Sequence, residues 1–95
     1  FKAGLPVIVK LGADWCPPCR EMKPILKELA KELKGKAIVL DLDINEHRAL
    51  AGKFKVKLIP TTIFYDKRGQ NRAVRTGFMD RRELLKTIDD LKLYE

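Results

Sequence analysis

Residues 15–19, Trp15-Cys16-Pro17-Pro18-Cys19, decide both the fold and the chemistry that this sequence predicts. The two cysteines are the only ones in the chain, and they stand at C-x-x-C spacing. An apolar run precedes them and a long helical pattern follows, which places the motif where a strand gives way to a helix. A C-x-x-C pair in that context is typical of a redox-active dithiol.

The spacing predicts different environments for the two sulfur atoms. If a helix begins at Cys16, that residue is exposed at the helix end, with its sulfur close to unpaired backbone N–H groups. The helix dipole favours a thiolate there, whereas a free cysteine with a pKa of about 8.5 is only about 3% thiolate at pH 7. Cys19 lies one turn inside and points inward, which makes it the candidate resolving thiol. Pro17 suits the first helical position, and Pro18 should stiffen the loop.

The cysteine pair has two alternative uses. A structural zinc site needs four ligands, or three plus water, and the chain offers only Cys16, Cys19 and its one histidine, His47. We therefore expect no metal site. A purely structural disulfide across so short a loop would constrain little chain entropy and would stabilise the fold weakly.

The bulk composition indicates one globular domain over residues 1–95, because 95 residues with 45% hydrophobic content suit a single core. No apolar run approaches the length of a membrane span. The net charge of +7 is compatible with a nucleic-acid partner, but the aromatic interleaving of single-strand binders is missing. We predict a solvated basic surface, no nucleic-acid partner, and a bias toward acidic protein substrates.

Apolar periodicity and turn signals predict the element order β-α-β-α-β-β-α. Alternation followed by a hairpin indicates an α/β fold, with a mixed sheet and helices on both faces. The predicted strands are 5–11, 37–44, 61–65 and 71–76, and the predicted helices are 16–34, 45–54 and 80–91.

Individual residues add detail to the predicted helices. Pro24 should kink the first helix, and Asn45 and Asp80 should cap the second and third. His47 falls in the first turn of the second helix, as an ordinary surface or core residue. The predicted inner side of that helix is formed by Ala49, Leu50 and Phe54.

Three signals, in order and spacing, make the chain resemble the thioredoxin family over nearly its whole length. They are the motif at 15–19, Ile59-Pro60-Thr61 before a strand, and Gly77 between the last strand and the last helix. The resemblance implies a thioredoxin fold and thiol–disulfide exchange, in which Cys16 attacks a target disulfide and Cys19 resolves the mixed disulfide. We expect a monomer with no cofactor beyond the Cys16–Cys19 disulfide, acting on protein disulfides and served by an upstream thiol reductase.

The resemblance also implies a shallow apolar groove beside the dithiol. In the family the proline matching Pro60 is cis and packs against the cysteines. The backbone of Ile59 would then be free to pair with a bound peptide, as an added strand. The expected substrate-binding residues are Trp15, Pro17, Pro18, Ile59, Pro60, Gly77 and Phe78.

Two departures from the family pattern concern the sheet edge and the direction of electron flow. The strand and helix that precede the first strand in typical thioredoxins are absent or have been cut away, so one sheet edge should be more exposed. Pro-Pro replaces the Gly-Pro of cytosolic members and, with the start at Phe1, slightly favours the cell envelope over the cytoplasm. Reduction of substrates is favoured, with a dithiol oxidant and a client-binding module of a larger envelope protein as alternatives.

The third departure from the family pattern is the sign of the charge at one buried position. Many thioredoxins keep a buried acidic residue six positions before the first cysteine, where this chain has Lys10, and the family's partner lysine aligns with Asp41. We therefore predict that the buried ion pair is retained, with the basic residue at position 10 and the acidic residue at position 41. We hypothesise that Lys10 lies under Cys19 and takes part in its proton transfer; a merely structural Lys10–Asp41 ion pair is the alternative.

Overall fold

A computed structural model describes residues 4–53 and 58–95, apart from the side chain of Leu50. The strands are β1 (Val7–Gly12), β2 (Ile38–Asp43), β3 (Thr61–Tyr65) and β4 (Asn71–Thr76), and the helices are α1 (Pro17–Glu32), α2 (Arg48–Lys53) and α3 (Arg81–Leu91). The sheet has the order β2-β1-β3-β4, with β1 parallel to β2 and the other pairs antiparallel. The predicted element order and the mixed four-stranded sheet are confirmed.

Strand β1 is central, and all six of its residues are buried. Alternate side chains of a strand point to opposite faces of the sheet. Ile8 packs with Phe64 and with side chains of α1 and α3 in one cluster. Val9 and Leu11 pack with Ile63 in a second cluster on the other face. Lys10 therefore shares the face that α1 and α3 cover.

Helix α1 begins as predicted, with Cys16 as its extended N-cap residue and two prolines in its first turn. Proline is tolerated there because its missing N–H would have no intrahelical partner. Pro24 lies inside α1, and the helix continues through it to Glu32, slightly short of the predicted end. One side of α1 faces the core, and its buried residues are Cys19, Met22, Leu26 and Leu29.

The predicted start of the second helix is wrong, because α2 begins at Arg48 and Asn45 lies in a turn. Asp43 organises that turn: its Oδ1 accepts a hydrogen bond from the N–H of Asn45 at 2.7 Å, and its carbonyl accepts one from His47 at 3.0 Å. An aspartate side chain that bonds to the backbone two residues on competes with helix formation. His47 consequently precedes α2 instead of lying in its first turn.

The predicted inner side of α2 is wrong at Ala49, which is exposed, whereas Ala51 is partly buried. With alanine at both positions, the apolar pattern does not determine which side faces inward. The predictions for the side chain of Leu50 and for Phe54 lie outside the described part of the chain.

The two edge strands of the sheet are β2 and β4. Among the described strands, β2 pairs only with β1, so the expected exposed edge runs along β2. Asp41 and Asp43 on β2 are charges of the kind that discourage pairing at an open edge. Over the ranges 4–53 and 58–95, no helix combines the length and apolarity that a membrane crossing requires.

Helix α3 begins at its predicted cap. The side chain of Asp80 accepts from the N–H of Glu83, and the Glu83 carboxylate accepts from the N–H of Asp80, forming a capping box. Arg81 also donates two hydrogen bonds of 2.7 Å to the carboxylate of Glu32, which joins the start of α3 to the end of α1. These bonds hold the pKa of Glu32 below its ordinary value.

Asp66 organises the hairpin between β3 and β4, in which Gly69 has the positive φ of 85° that glycine adopts readily. The buried Oδ1 of Asp66 accepts hydrogen bonds from the N–H groups of Arg68 at 2.9 Å and Gln70 at 3.0 Å. Arg72 lies 3.5 Å from the other carboxylate oxygen. Burial acts to raise the pKa of Asp66, but these donors together lower it below its ordinary value.

The Asp66→Asn variant should have a smaller free energy of unfolding at neutral pH and a flatter acid dependence. A carboxylate whose folded pKa lies below its ordinary value of 3.8 stabilises the fold fully above that value. This stabilisation is lost as the pH falls through the folded pKa. Urea unfolding at a series of pH values measures both effects.

The control for this prediction is Asp90→Asn, which removes an exposed carboxylate paired with Lys86. Its loss of stability should be smaller because exposed ion pairs contribute little. Equal losses in the two variants at neutral pH, or an unchanged acid slope in Asp66→Asn, would contradict the assigned role of Asp66.

Strand β1 meets the first turn of α1 at Gly12. A Cβ added to Gly12 would lie 2.9 Å from Sγ of Cys19, 2.9 Å from Cε of Lys10 and 3.0 Å from its Nζ. Contacts this short require neighbouring atoms to move, and packed interiors resist such movement. The missing side chain is what lets Lys10 and Cys19 come together.

We predict that Gly12→Ala lowers the free energy of unfolding by about 1–3 kcal/mol, because the added methyl overpacks this junction. The control is Gly52→Ala in α2, where a Cβ would have no neighbour within 4 Å. That variant should gain about 0.5–1 kcal/mol from the better helix propensity of alanine. Urea denaturation compares the three proteins, and a Gly12→Ala protein as stable as the parent would show that the junction has spare room.

Candidate active site

Cys16 and Cys19 form a disulfide at the start of α1, with their Cα atoms 5.2 Å apart. The expectation that Cys16 is exposed is wrong for this state, since it is only 5% exposed. Its N–H bonds to the carbonyl of Ala13, and its Sγ lies 3.8 Å from the carbonyl oxygen of Ile59, so the chain encloses it on two sides. Cys19 is completely buried, which leaves Cys16 as the more accessible sulfur.

The start of α1 supplies a polar environment for Sγ of Cys16. The N–H of Cys19 donates to this sulfur at 3.4 Å, as an N-cap interaction. No acidic residue stands in the first turn of α1. When the disulfide is reduced, the N–H groups and the positive end of the helix dipole favour a thiolate at this position.

The loop before β3 lies against the disulfide. The Ile59–Pro60 peptide bond is cis, as the resemblance implied. Pro60 is buried, and its carbonyl accepts a hydrogen bond of 2.8 Å from the N–H of Gly77. Gly77 has a φ of 95°, a conformation that residues with a Cβ rarely adopt. The structure thus places Ile59 against Cys16 and joins Gly77 to the adjacent Pro60.

Several apolar side chains that the resemblance assigns to the substrate groove are exposed to solvent. Trp15 is 68% exposed and Phe78 is 41% exposed, and Pro17 and Pro18 also lie at the surface. Leu58, which the sequence analysis missed, is 65% exposed. The sequence feature that could have identified Leu58 was an apolar residue two positions before Pro60. Exposed apolar side chains of this size are candidates for contact with a partner.

Lys10 lies beneath the disulfide and is only 1% exposed. Its Nζ donates to the carbonyl oxygen of Cys19 at 3.1 Å and to Oδ1 of Asp41 at 2.9 Å. Lys10 and Asp41 are register partners on the parallel strands β1 and β2, which explains why the two side chains meet. The predicted ion pair between them is therefore present.

Lys23 extends this ion pair to the surface, a contact that the sequence analysis missed. Its Nζ lies 3.4 Å from Oδ2 of Asp41 and 3.4 Å from Oδ1 of Asp14. Asp41 is the main cause of a raised pKa for Lys23, partial burial opposes it, and Asp14 adds to it. The available signal was helical spacing, since Lys23 stands one turn after Cys19 and so shares its side of α1.

A polar cleft of about 230 Å³ opens beside this ion chain. Its walls include Lys10 and Asp41 at the inner end, and Asp14, Asp43 and Glu46 also line it. In the part of the chain that the structure describes, no group of three or more His, Cys, Asp or Glu side chains is arranged to hold a metal ion.

Comparison with known proteins agrees with the fold and the cysteine pair. The family model described as Thioredoxin matches residues 2–90. The thioredoxin of Rickettsia bellii is 34% identical over 90 residues, covering 95% of this chain and 85% of that protein. The thioredoxin of Staphylococcus aureus is 39% identical over 82 residues, covering 86% and 78%.

A solved structure of a malarial protein is similar to the whole fold, with a TM-score of 0.83 and 26% identity. The similarity covers 90% of this chain and 96% of that one. Together with the Cys16–Cys19 pair, these relatives support a thiol–disulfide oxidoreductase. The chain belongs to the thioredoxin family.

Proposed function

We propose that this protein reduces disulfides of other proteins, with Cys16 as the attacking thiol and Cys19 as the resolving thiol. The observation that carries the proposal is the pairing of an N-cap sulfur, which accepts a helix N–H, with a fully buried sulfur one turn away. A sulfur at a helix N-terminus is activated as a nucleophile, and a neighbour within bonding distance can complete the exchange.

The first step forms a mixed disulfide. The Cys16 thiolate attacks one sulfur of the target disulfide, which breaks the target S–S bond and joins Cys16 to that sulfur. The other target sulfur leaves as a thiolate and takes a proton from solvent. A target held against the backbone of Ile59 would lie next to Sγ of Cys16, which is 3.8 Å from the Ile59 carbonyl oxygen.

The second step releases the target. Cys19, as a thiolate, attacks Sγ of Cys16, so the Cys16–Cys19 bond forms and the bond from Cys16 to the target breaks. The target has then gained two electrons and the dithiol has lost two. The proposal uses no cofactor beyond this disulfide, and an upstream thiol reductase would restore the dithiol of what we take to be a monomer.

A target peptide would bind along the loop before β3. The carbonyl of Ile59 faces Cys16, and its N–H has no hydrogen-bond partner among residues 4–53 and 58–95. An extended segment could pair with this backbone as an added strand. Trp15, Leu58 and Phe78 offer exposed apolar surface for its side chains, and the net charge of +7 favours acidic segments.

Cysteine substitutions test the assigned roles. Cys16→Ser should lose all catalysis of insulin reduction by dithiothreitol above the rate without protein, because it removes the nucleophile. Cys19→Ser should also lose catalysis, but the reduced variant mixed with insulin without dithiothreitol should accumulate a covalent mixed disulfide, because no second thiol of the protein resolves it. The mixed disulfide is detected by mass spectrometry and by gels without reductant.

The control for the cysteine substitutions is the parent protein with both thiols alkylated. Insulin reduction that survives in Cys16→Ser would exclude the proposed role of Cys16. Binding of unfolded proteins without any turnover by the parent would instead favour the client-binding module.

An equilibrium with glutathione measures the redox potential and so tests the direction of electron flow. For a reductase, the potential should lie nearer to about −270 mV, the value of thioredoxin, than to about −120 mV at the oxidant end of the scale. Counting thiols after acid quenching at a series of glutathione ratios gives the potential. A value near the oxidant end would favour the dithiol-oxidant alternative.

A further inference from the structure

We propose that Lys10 is a positioning residue whose buried positive charge stabilises the thiolate of Cys19 and makes the dithiol less reducing than it would otherwise be. The inference rests on the proposed function for its biological meaning, but it concerns the dithiol alone. This role differs from the one hypothesised from the sequence, in which Lys10 takes part in the proton transfer of Cys19. An ammonium group carries three N–H donors and no acceptor, so Lys10 acts through its charge and does not receive the proton of Cys19.

The distance between the charge and the sulfur is short enough for this effect. Any Cβ on Gly12 would lie 3.0 Å from Nζ of Lys10 and 2.9 Å from Sγ of Cys19, so these two atoms are at most about 5.9 Å apart. A charge within about 4–6 Å of an ionisable group shifts its ionisation strongly, most of all where water is excluded. Both residues are excluded from water, at 1% and 0% exposure.

The hydrogen bonds of Lys10 hold its ammonium under the sulfur without using all its donors. Two N–H groups bond to the carbonyl of Cys19 and to Asp41. Within the described ranges the third has no protein partner. The contact with the Cys19 carbonyl fixes the cation to the same residue whose sulfur it would stabilise.

Asp41 does not cancel this charge, because it is shared and partly solvated. Its side chain is 26% exposed, and its second oxygen pairs with Lys23. Asp14, the other carboxylate on Lys23, is 81% exposed and is therefore well screened. Of these charges, Lys10 is the one in direct contact with Cys19. Asp43 and Glu46 also line the cleft, and no hydrogen bond or ion pair of the described residues joins either to Lys10.

A second observation points to function beneath the dithiol. Thr62 is the register partner of Lys10 on β3 and is completely buried, yet its hydroxyl has no hydrogen-bond partner among the described residues. The buried hydroxyl of Thr62 lies on the same face of the sheet as Lys10 and adds to the polar surroundings that would favour an ionised sulfur.

The redox consequence follows from which state carries charge. The disulfide is neutral, whereas the reduced pair includes a thiolate, so a nearby cation stabilises the reduced state selectively. In the resolving step Cys19 loses its proton before its sulfur attacks Cys16. The polar cleft, which reaches Lys10 and Asp41, provides a path from this region to solvent. A lower cost of ionisation at Cys19 therefore also speeds release of the target.

The test is a charge series at the ion pair, made of Lys10→Met, Asp41→Asn and the double variant. Each protein is equilibrated with glutathione and its thiols are counted. Lys10→Met should shift the equilibrium toward the disulfide at least tenfold, which corresponds to about 30 mV. Asp41→Asn should shift it toward the dithiol, and the double variant should lie between the two single variants. Lys27→Met on the exposed side of α1 is the control and should change it less than twofold.

A second readout separates charge from structure. In a Cys16→Ser background, the pH dependence of Cys19 alkylation should move to higher pH in Lys10→Met and to lower pH in Asp41→Asn. A structural ion pair would instead make all three variants less stable in urea while leaving potential and alkylation unchanged, and that result would overturn the proposal. If Lys10→Met fails to fold, an unshifted potential in Asp41→Asn is equally decisive. Shifted potentials in a protein that never reduces insulin would reject the proposed function and leave this inference standing.

Discussion

The N–H group of Cys19 and the sulfur of Cys16 form the contact on which the rest of the site depends. It exists because α1 begins at Pro17, so that Cys16 is the cap and Cys19 lies one turn inside. The two prolines restrict the backbone of that turn and cost no intrahelical hydrogen bond. One sulfur is thereby held at the helix end, and the other is forced into the interior.

The remaining elements give these two sulfurs different surroundings. The cis-proline loop lies against Cys16, and Gly77 anchors that loop through the carbonyl of Pro60. On the other side, Gly12 leaves space in which Lys10 comes close to Cys19. If Lys10 acts as we propose, a helix end influences the outer sulfur and a buried cation influences the inner one. Both influences would then favour the reduced pair, and the potential of this dithiol would reflect two separate parts of the fold.

Local signals predicted much of this structure. The cap at Asp80 and the strand from Thr61 to Tyr65 lie where the sequence placed them, because each depends on residues adjacent in the chain. The start of α2 was missed because an alternative local bond, from Asn45 to Asp43, competes with the predicted cap.

In the site, too, features that depend on residues adjacent in the chain were predictable, and features that depend on distant contacts were not. The cysteine pair and its place at a helix start follow from spacing. The burial of Cys16 does not, because it is caused by the distant loop at Ile59. Gly12 matters only through contacts with neighbouring elements, which its residue type does not reveal. Helical spacing places Lys23 on the same side of α1 as Cys19, but it does not identify Asp41 as its partner.

The most direct test of the account is the pH dependence of iodoacetamide alkylation at Cys16 in the reduced, folded protein. The same chain unfolded in urea supplies the reference for an ordinary cysteine, whose pKa is about 8.5. The account predicts that folded Cys16 reacts as a thiolate at clearly lower pH than the unfolded reference. Coincident folded and unfolded curves would contradict it, because the helix end would then leave the sulfur unactivated.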